Sequence, residues 1–517
     1  MSIYKTRLTN LLGSLTHEGT LLHPSVFLQR AARLWPDRQA LICEDATITY
    51  NQLYTDAVEI AQKIRQRGIK PGNRILLLYE NSINFYRAYH GAWMAGAIVA
   101  PLNVFLKPPE LQHIYTDAQP ALIITSPAQE EKLAGIVPPE RVWSTDFSGP
   151  SRTGNERAGK TSEYIIPHPP LGACTVLLYT SGTTGLPKGV MLTGNNIITN
   201  CTQGIANFNF TEQERIYAAL PLFHSYMQNA AVWCPLIVGA LTILIPRITR
   251  RSLLQGLTHK PSIVLGIPPL YGLFCLMKDV PFNGIKLFIS GGDALNSTTR
   301  MYFELLYGRK IANGYGLTET SPLISAQLED YHAPIGCVGK PFAGITITIT
   351  GEQGMPVPTG TIGTILVSGG NVMKGYYNAP AATADVLQDS LLNTGDLGYI
   401  DTDGSLIITG RAKDLIVNKG IKIYPQEIEN ILTQHPAVMA AAVVGMQTED
   451  QEVPVAFVAA STATPELEQE LKALCQKVLA DYKVPRAFFV RKELPTTTTG
   501  KIDKKALRQE LASCYQK

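Results

Sequence analysis

Two hydrophobic rhythms run along this chain, and the change from one to the other divides it. Residues 50–67 place Ala57, Val58, Ile60, Ala61 and Ile64 on one helical face, and the stretch 68–73 breaks the helix. An unbroken apolar run at 74–79 reads as a buried strand. Asn81 or Ser82 can cap a helix running to residue 95, and 97–101 begins another strand after Gly96. Such alternation predicts parallel strands joined by right-handed crossovers in a layered α/β domain. It continues from 211 to 319, with strands expected at 264–267 and 286–289 and a helix at 298–307. Beyond Pro341 the rhythm shifts to period two in ITITIT, TILVSG and SLIITG, the pattern of a half-exposed antiparallel sheet. The remainder reads as a helix at 425–434, strands at 440–444 and 453–460 and a helix at 465–480, which suits a small α+β domain. The expected organisation is a large domain over residues 1–410, with a polar surface loop at 148–160, and a small one over 411–517.

Composition mainly excludes. The 517 residues are enough for more than one buried core. A net charge of +3, evenly spread, argues against nucleic acid. Eight cysteines without a CxxC spacing suggest neither a zinc site nor a disulfide framework, so a reducing cytoplasm is the simple expectation. The N-terminal stretch lacks the charged start, apolar core and cleavage site of a secretory signal. The most apolar window, 230–246, is interrupted by Pro235 and Gly239, falls short of the roughly 20 residues that span a bilayer, and reads as a buried helix and strand. Peripheral membrane contact stays open, as does the choice between monomer and homodimer.

Chemistry enters at LYTSGTTGLPKGVMLT, residues 178–193. An apolar run feeds a turn containing Thr180, Ser181, Gly182, Thr183, Thr184 and Lys188, and a second apolar run follows. Glycines let backbone amides approach an anion, hydroxyls add donors and the lysine adds charge, so strand, polyphosphate loop, strand is the natural reading. The Walker pattern is absent, because neither Gly339-Lys340 nor Gly500-Lys501 has its flanks.

The segment TSGTTGLPKG resembles the signature of the adenylate-forming superfamily, which contains acyl-CoA synthetases, peptide-synthetase adenylation domains and beetle luciferases. Further motifs resemble it in order: NGYGLTE at 313–319, NTGD at 393–396, GRAKDLI at 410–416, NKGIKIYPQEIE at 418–429 and LPTTTTGKIDKKAL at 494–507. The resemblance implies an α/β fold with a large multi-layer N-terminal domain of parallel and mixed sheets, a distorted β-barrel-like part and a small mobile α+β C-terminal domain. It also implies a two-step reaction with ATP and Mg2+, acid to acyl-AMP and then acyl transfer to a thiol.

By the same resemblance Thr180, Ser181, Gly182, Thr183, Thr184 and Lys188 hold the pyrophosphate end. Tyr315 stacks on adenine beside Asn313 and Gly314, Thr318 reaches the α-phosphate, and Glu319 holds magnesium. Asp293 is counted with the nucleotide-binding residues. Asp396 takes the ribose hydroxyls with Arg411 beside it. Lys413 is the hinge, Gly420 lines the thiol's approach, and Lys501 bridges carboxylate and α-phosphate in the first step.

His224, in LPLFHSY at 220–226, is expected near the substrate carboxylate. Met227, Gly266, Gly291, Gly292 and Leu317 are expected around the acyl pocket. Peptide-synthetase adenylation domains carry an aspartate shortly after the first aromatic of the corresponding segment; His224 in its place implies an acid without an α-amino group. The segment resembles fatty acyl-CoA synthetases, so a medium- or long-chain fatty acid and coenzyme A are expected. An acyl carrier protein's phosphopantetheine remains an alternative acceptor, and a non-catalytic nucleotide-binding homologue an alternative from another class.

Overall fold

The structure is a computed structural model describing residues 2–147, 164–167, 169–181, 186–328, 334–419, 421–448, 451–460, 462, 464–497 and 501–515. Three large sheets build its first four hundred residues. The seven-stranded sheet runs in the order Gly375–Tyr376, Pro187–Thr193, Cys174–Ser181, Ile98–Pro101, Arg74–Leu78, Leu122–Thr125 and Val142–Ser144. Arg74–Leu78 is parallel to both of its neighbours, as the strand and helix alternation predicts. In the nine-stranded sheet Leu241–Leu244, Arg215–Ala218, Ile263–Gly266, Leu287–Ser290 and Ile311–Gly316 are parallel, each to the next. The third sheet is antiparallel and half-barrel-like, built on Ile345–Thr350, Gly363–Gly369, Leu391–Ile400 and Leu406–Arg411. These are the segments of period-two alternation.

Local chemistry explains the boundaries. The helix Tyr50–Gln66 starts on a capping box: the Thr49 hydroxyl accepts from the Gln52 amide at 3.2 Å, and the Gln52 side chain accepts from the Thr49 amide at 2.9 Å. It buries the predicted face of Ala57, Val58, Ile60, Ala61 and Ile64. Ser82 caps the helix Ile83–Met94 by accepting from the Phe85 amide at 3.2 Å. Asn81 does something else. It donates to Leu220 O at 2.9 Å and accepts from the Leu222 amide at 2.9 Å, tying this region to the segment that leads to His224.

The apolar window resolves into the π-helical stretch Gln228–Trp233, the helix Cys234–Val238 and the strand Leu241–Leu244, all buried. Pro235 opens that helix and Gly239 closes it in the left-handed conformation, at φ 79°. Among the described residues no helix is long and apolar enough to cross a membrane.

After residue 411 come the helix Pro425–Leu432, strands Val438–Gln447 and Glu452–Ala460 and the helix Pro465–Val478. The strand Phe488–Arg491, parallel to Glu452–Ala460, and the helix Lys504–Tyr515 complete this part and were not anticipated. Its two apolar clusters draw their buried residues from Ile416 onward, whereas the buried members of the preceding clusters end at Leu406. The loop expected at 148–160 lies outside the described residues.

Candidate active site

Contacts and charge interactions link several of the described residues singled out along the chain, drawn from the three sheets and from the segment around Lys501. Cys174–Ser181 and Pro187–Thr193 pair as an antiparallel hairpin in which Thr180 faces Lys188 across the ladder. Thr180 and Lys188 therefore flank the expected phosphate loop. Gly182, Thr183 and Thr184 lie outside the described residues, as does Gly420. Ser181 is described only through its backbone.

Across the next strand pair Val190 faces Tyr376, which brings the Tyr376 ring beneath the Lys188 ammonium at 5.3 Å from its centroid. The Tyr376 hydroxyl donates to Glu319 Oε1 at 2.8 Å. One tyrosine thus joins the candidate pyrophosphate cation to the candidate metal carboxylate. Sequence reasoning missed it, because only the pairing of two strands nearly two hundred residues apart brings it there.

Asn313, Gly314 and Tyr315 end the strand Ile311–Gly316. The chain then turns sharply, and Gly316 is obligatory: a Cβ there would lie 2.0 Å from Pro322 O. Thr318 and Glu319 follow in the 3-10 turn Thr318–Thr320. Three buried asparagines clamp that turn and its exit. Asn371 donates to Thr320 O at 3.1 Å, Asn229 to Ser321 O at 3.1 Å and Asn200 to Leu323 O at 2.8 Å. Ser225, immediately after His224, sets its hydroxyl 3.1 Å from that of Thr318. The Asn313 side chain donates to Cys337 O at 2.9 Å, which leaves its carbonyl oxygen as an acceptor suited to an exocyclic amine.

Asp396 and Arg411 face each other across neighbouring antiparallel strands. The Asp396 carboxylate is 4% exposed; it accepts from the Tyr315 hydroxyl at 2.7 Å and pairs with Arg411 Nε at 3.1 Å. Burial pushes its pKa up against the pull of Arg411 and Tyr315. Burial likewise opposes the Arg411 charge, yet Asp396 and Tyr315 hold that guanidinium above its ordinary value. Each carboxylate oxygen keeps a lone pair beyond the one already used, which fits a vicinal diol.

Lys501 is half-buried, and burial lowers its pKa. Asp293 and Asp396 act in the opposite sense, while Arg411 and Lys413 add to the lowering, so the lysine lies within electrostatic reach of all four. It also acts on His224, whose imidazole is pushed down to about 4 by its dense surroundings and then by the Lys501 charge. His224 is therefore neutral near pH 7. Its Nδ1 accepts from the Tyr226 amide at 3.2 Å, which puts the proton on Nε2. Lys413 sits in the turn Ala412–Asp414, with its pKa lowered by burial and by Arg411.

Directly after His224 the chain continues with buried neutral side chains. Met227 is fully buried and Leu317 half-buried. A Cβ on Gly291 would rest 3.4 Å from the Tyr226 ring, and one on Gly266 would strike the Tyr271 ring at 2.7 Å. Both tyrosine hydroxyls donate to Ile289 O, at 3.2 Å from Tyr226 and 2.8 Å from Tyr271. Gly292 holds a left-handed φ of 79° next to them. Two anchored rings therefore fill the space beneath the glycine strand ends, a feature legible only in three dimensions.

The sequence matches the AMP-binding enzyme family over residues 28–377 and the AMP-binding enzyme C-terminal domain over residues 427–501. The chain belongs to the AMP-binding enzymes, the adenylate-forming superfamily. It is 33% identical to a long-chain-fatty-acid–CoA ligase of Bacillus subtilis, covering 94% of each chain. It is 32% identical to a feruloyl-CoA synthase of an Amycolatopsis species, over 93% of this chain and 97% of that one. Among solved structures, the o-succinylbenzoate coenzyme A synthetase of Bacillus subtilis in complex with ATP and magnesium ion superposes with a TM-score of 0.83. That likeness carries 29% identity and covers 94% of this chain and 99% of that one. The chain stands among the AMP-forming acid–CoA ligases of the superfamily, whose members differ in the acid they take.

The side chains present fit ATP with magnesium. Among the described residues no three His, Cys, Asp or Glu side chains gather as a metal site. A lone carboxylate such as Glu319 is the donor set for an ion that keeps several waters and is otherwise held by substrate phosphates.

Proposed function

We propose that this AMP-binding enzyme activates a fatty acid of medium or long chain to its acyl-adenylate and transfers the acyl group to coenzyme A. The acid class is supported by the apolar and neutral side chains close to His224 in the fold: Tyr226 and Met227, which follow it in the buried turn Ser225–Met227, and Leu317, next to the Thr318 whose hydroxyl lies 3.1 Å from that of Ser225. They suit an uncharged acyl tail better than one ending in a second acid group.

In the first step a carboxylate oxygen attacks the α-phosphorus of ATP. The new oxygen–phosphorus bond forms as the bond to the β-phosphate oxygen breaks, and pyrophosphate leaves toward Thr180 and Lys188. Such displacements depend on positioning and charge neutralisation. Lys501 supplies the cation between carboxylate and α-phosphate, neutral His224 offers its Nε2 proton to the acid, and Thr318 donates to the phosphate. Asp396, Arg411 and Tyr315 hold the nucleoside. Magnesium, when bound, neutralises phosphate charge, and Glu319 is the residue that would hold it.

In the second step the small domain, residues 411–517, turns about Lys413 and withdraws Lys501. The coenzyme A thiol, approaching past Gly420, then loses its proton to solvent and attacks the acyl carbonyl; the carbon–sulfur bond forms as the bond from the acyl carbon to the phosphate oxygen breaks and AMP departs.

The test measures ATP- and magnesium-dependent pyrophosphate release across acids of increasing length, with coenzyme A, with a phosphopantetheinylated carrier protein and with neither. Turnover with fatty acids and coenzyme A is expected. Turnover with the carrier protein alone would make the chain an acyl-carrier ligase, and no pyrophosphate from any acid would overturn the reading. Lys501→Ala is expected to abolish pyrophosphate release while keeping thioester formation from supplied acyl-adenylate; equal loss of both steps would refute the role given to Lys501.

A further inference from the structure

Lys501 does not position itself. Its backbone is braced to the preceding segment: the Thr497 amide donates to Lys501 O at 2.7 Å, and the Lys501 amide to the Thr497 hydroxyl at 3.3 Å. Two residues on, the Asp503 amide donates to Pro495 O at 2.8 Å, and the Asp503 carboxylate accepts from the Ala506 amide at 3.0 Å in the first turn of the helix Lys504–Tyr515. That helix is seated by Leu507 and Leu511, buried against Val444, Val455 and Phe457. Wherever the helix goes, Lys501 goes.

Three ion pairs among the described residues fix the helix sideways, one of them between Arg491 Nη2 and Glu510 Oε1 at 2.8 Å. Lys504 Nζ pairs with Glu429 Oε1 at 2.6 Å, which joins it to the helix Pro425–Leu432 of the same small part of the chain. Arg508 Nη2 pairs with Asp414 Oδ1 at 2.5 Å. The pair of Arg508 with Asp414 has a different reach from the other two. Asp414 ends the turn Ala412–Asp414, which directly follows the strand Leu406–Arg411, and Arg411 is the partner of Asp396. Arg508 therefore fastens the helix carrying Lys501 to the short link leading from the candidate ribose site. The Asp414 side chain is only 12% exposed. Burial works against its charge, and Arg508, Lys504 and Lys413 still hold it below the ordinary carboxylate value.

We propose that Arg508 is a positioning residue for acid activation, acting through Asp414 to hold the helix Lys504–Tyr515, and with it Lys501, in register with Asp396 and Arg411. The proposal rests on the role given to Lys501 above. Because Lys501 serves only the first step, loss of the Arg508–Asp414 pair falls on adenylate formation and spares thioester formation. A merely structural ion pair would weaken both steps together.

The experiment compares two rates in each variant of the full chain: pyrophosphate release from acid and ATP, and thioester formation from supplied acyl-adenylate and coenzyme A. Arg508→Ala is expected to lower the first by roughly fivefold to tenfold, the scale of one partly buried ion pair, and to leave the second within about twofold. Arg508→Lys keeps the charge and is expected to recover most of the first rate. Lys483→Ala removes an ion pair with Glu427 at 2.8 Å, elsewhere in the same part of the chain, and is expected to leave the ratio of the two rates unchanged. Lys501→Ala runs in parallel. If it abolishes pyrophosphate release while Arg508→Ala either keeps it or lowers both rates equally, the proposal is overturned and the role of Lys501 stands. If Lys501→Ala itself keeps pyrophosphate release, both fall.

Discussion

Gly291→Ala is the sharpest probe of the proposed acyl pocket, because the structure predicts what a single methyl meets there. The Gly291 backbone lies outside the left-handed region, so alanine adds no backbone strain. Its Cβ would sit 3.4 and 3.5 Å from two Tyr226 ring atoms and 3.8 Å from Gly314 O, all ordinary van der Waals contacts. The variant should fold with an unchanged melting temperature, its methyl occupying only space along the pocket wall. An acid whose chain reaches that wall loses the burial of about one methylene, ~0.8 kcal/mol, or roughly fourfold in kcat/KM. An acid too short to reach it loses nothing, and the KM for ATP holds. Gly266→Ala is the contrasting control. There the methyl strikes the Tyr271 ring at 2.7 and 2.9 Å, and that ring is fully buried with its hydroxyl bonded to Val264 O and Ile289 O. Overpacking of this kind costs about 1–3 kcal/mol, so a lower melting temperature and a loss shared by all acids are expected. The assay is initial pyrophosphate release across a chain-length series. If Gly291→Ala lowers kcat/KM equally for the shortest and longest acids, or for none, the wall assignment is wrong.

Tyr376→Phe removes the hydroxyl that orients Glu319 and keeps the ring beneath Lys188, so the apparent magnesium requirement is expected to rise several-fold with little change in the KM for the acid; magnesium titration of pyrophosphate release checks it, and an unchanged requirement would sink the link. The His224 imidazole at about 4, against an ordinary 6.5, means the folded state binds fewer protons than the unfolded one. Its contribution to stability is thus complete above pH 6.5 and is lost as the pH falls from there through about 4. Melting temperatures of His224→Gln should fall less steeply over that window than those of the unaltered chain, and a limb near pH 6.5 in the adenylation rate that vanishes in the variant would show an ordinary histidine instead. Lys413→Pro, which fixes φ and restricts the preceding residue, is expected to slow thioester formation more than adenylate formation, and an unchanged second step would count against the hinge.

Much of the fold was legible because most segments carry their own local instruction. The helical face of Ala57, Val58, Ile60, Ala61 and Ile64 is buried as its spacing predicts, and period two in ITITIT becomes an antiparallel strand. Asn81 and Ser82 were equivalent as caps by residue type. Tertiary contact separated them, since Asn81 is consumed by Leu220 and Leu222. The strand Phe488–Arg491 escaped because the four residues FFVR are too few to show a period, and the helix Lys504–Tyr515 because Leu507 and Leu511, the residues it buries, stand among polar and charged neighbours.

The site divides along the same line. Residues that act within one contiguous motif, such as Asn313, Tyr315, Thr318 and Glu319, are carried by sequence because a strand end and a tight turn deliver them together. Residues that act across the fold are not. Tyr376 reaches Lys188 through strand pairing, Ser225 reaches Thr318 from the helical turn Ser225–Met227 that leads into the π-helical segment holding Asn229, and Arg508 reaches Asp414 from the far end of the chain. Each of these supports a motif residue rather than extending a motif. A buried ring or an ion pair has no fixed offset from the group it steadies, so nothing in local spacing could announce it. The chemistry proposed for this chain is accordingly written in its motifs, and the packing around them is written in contacts such as those of Tyr226 and Tyr271 on the single carbonyl of Ile289.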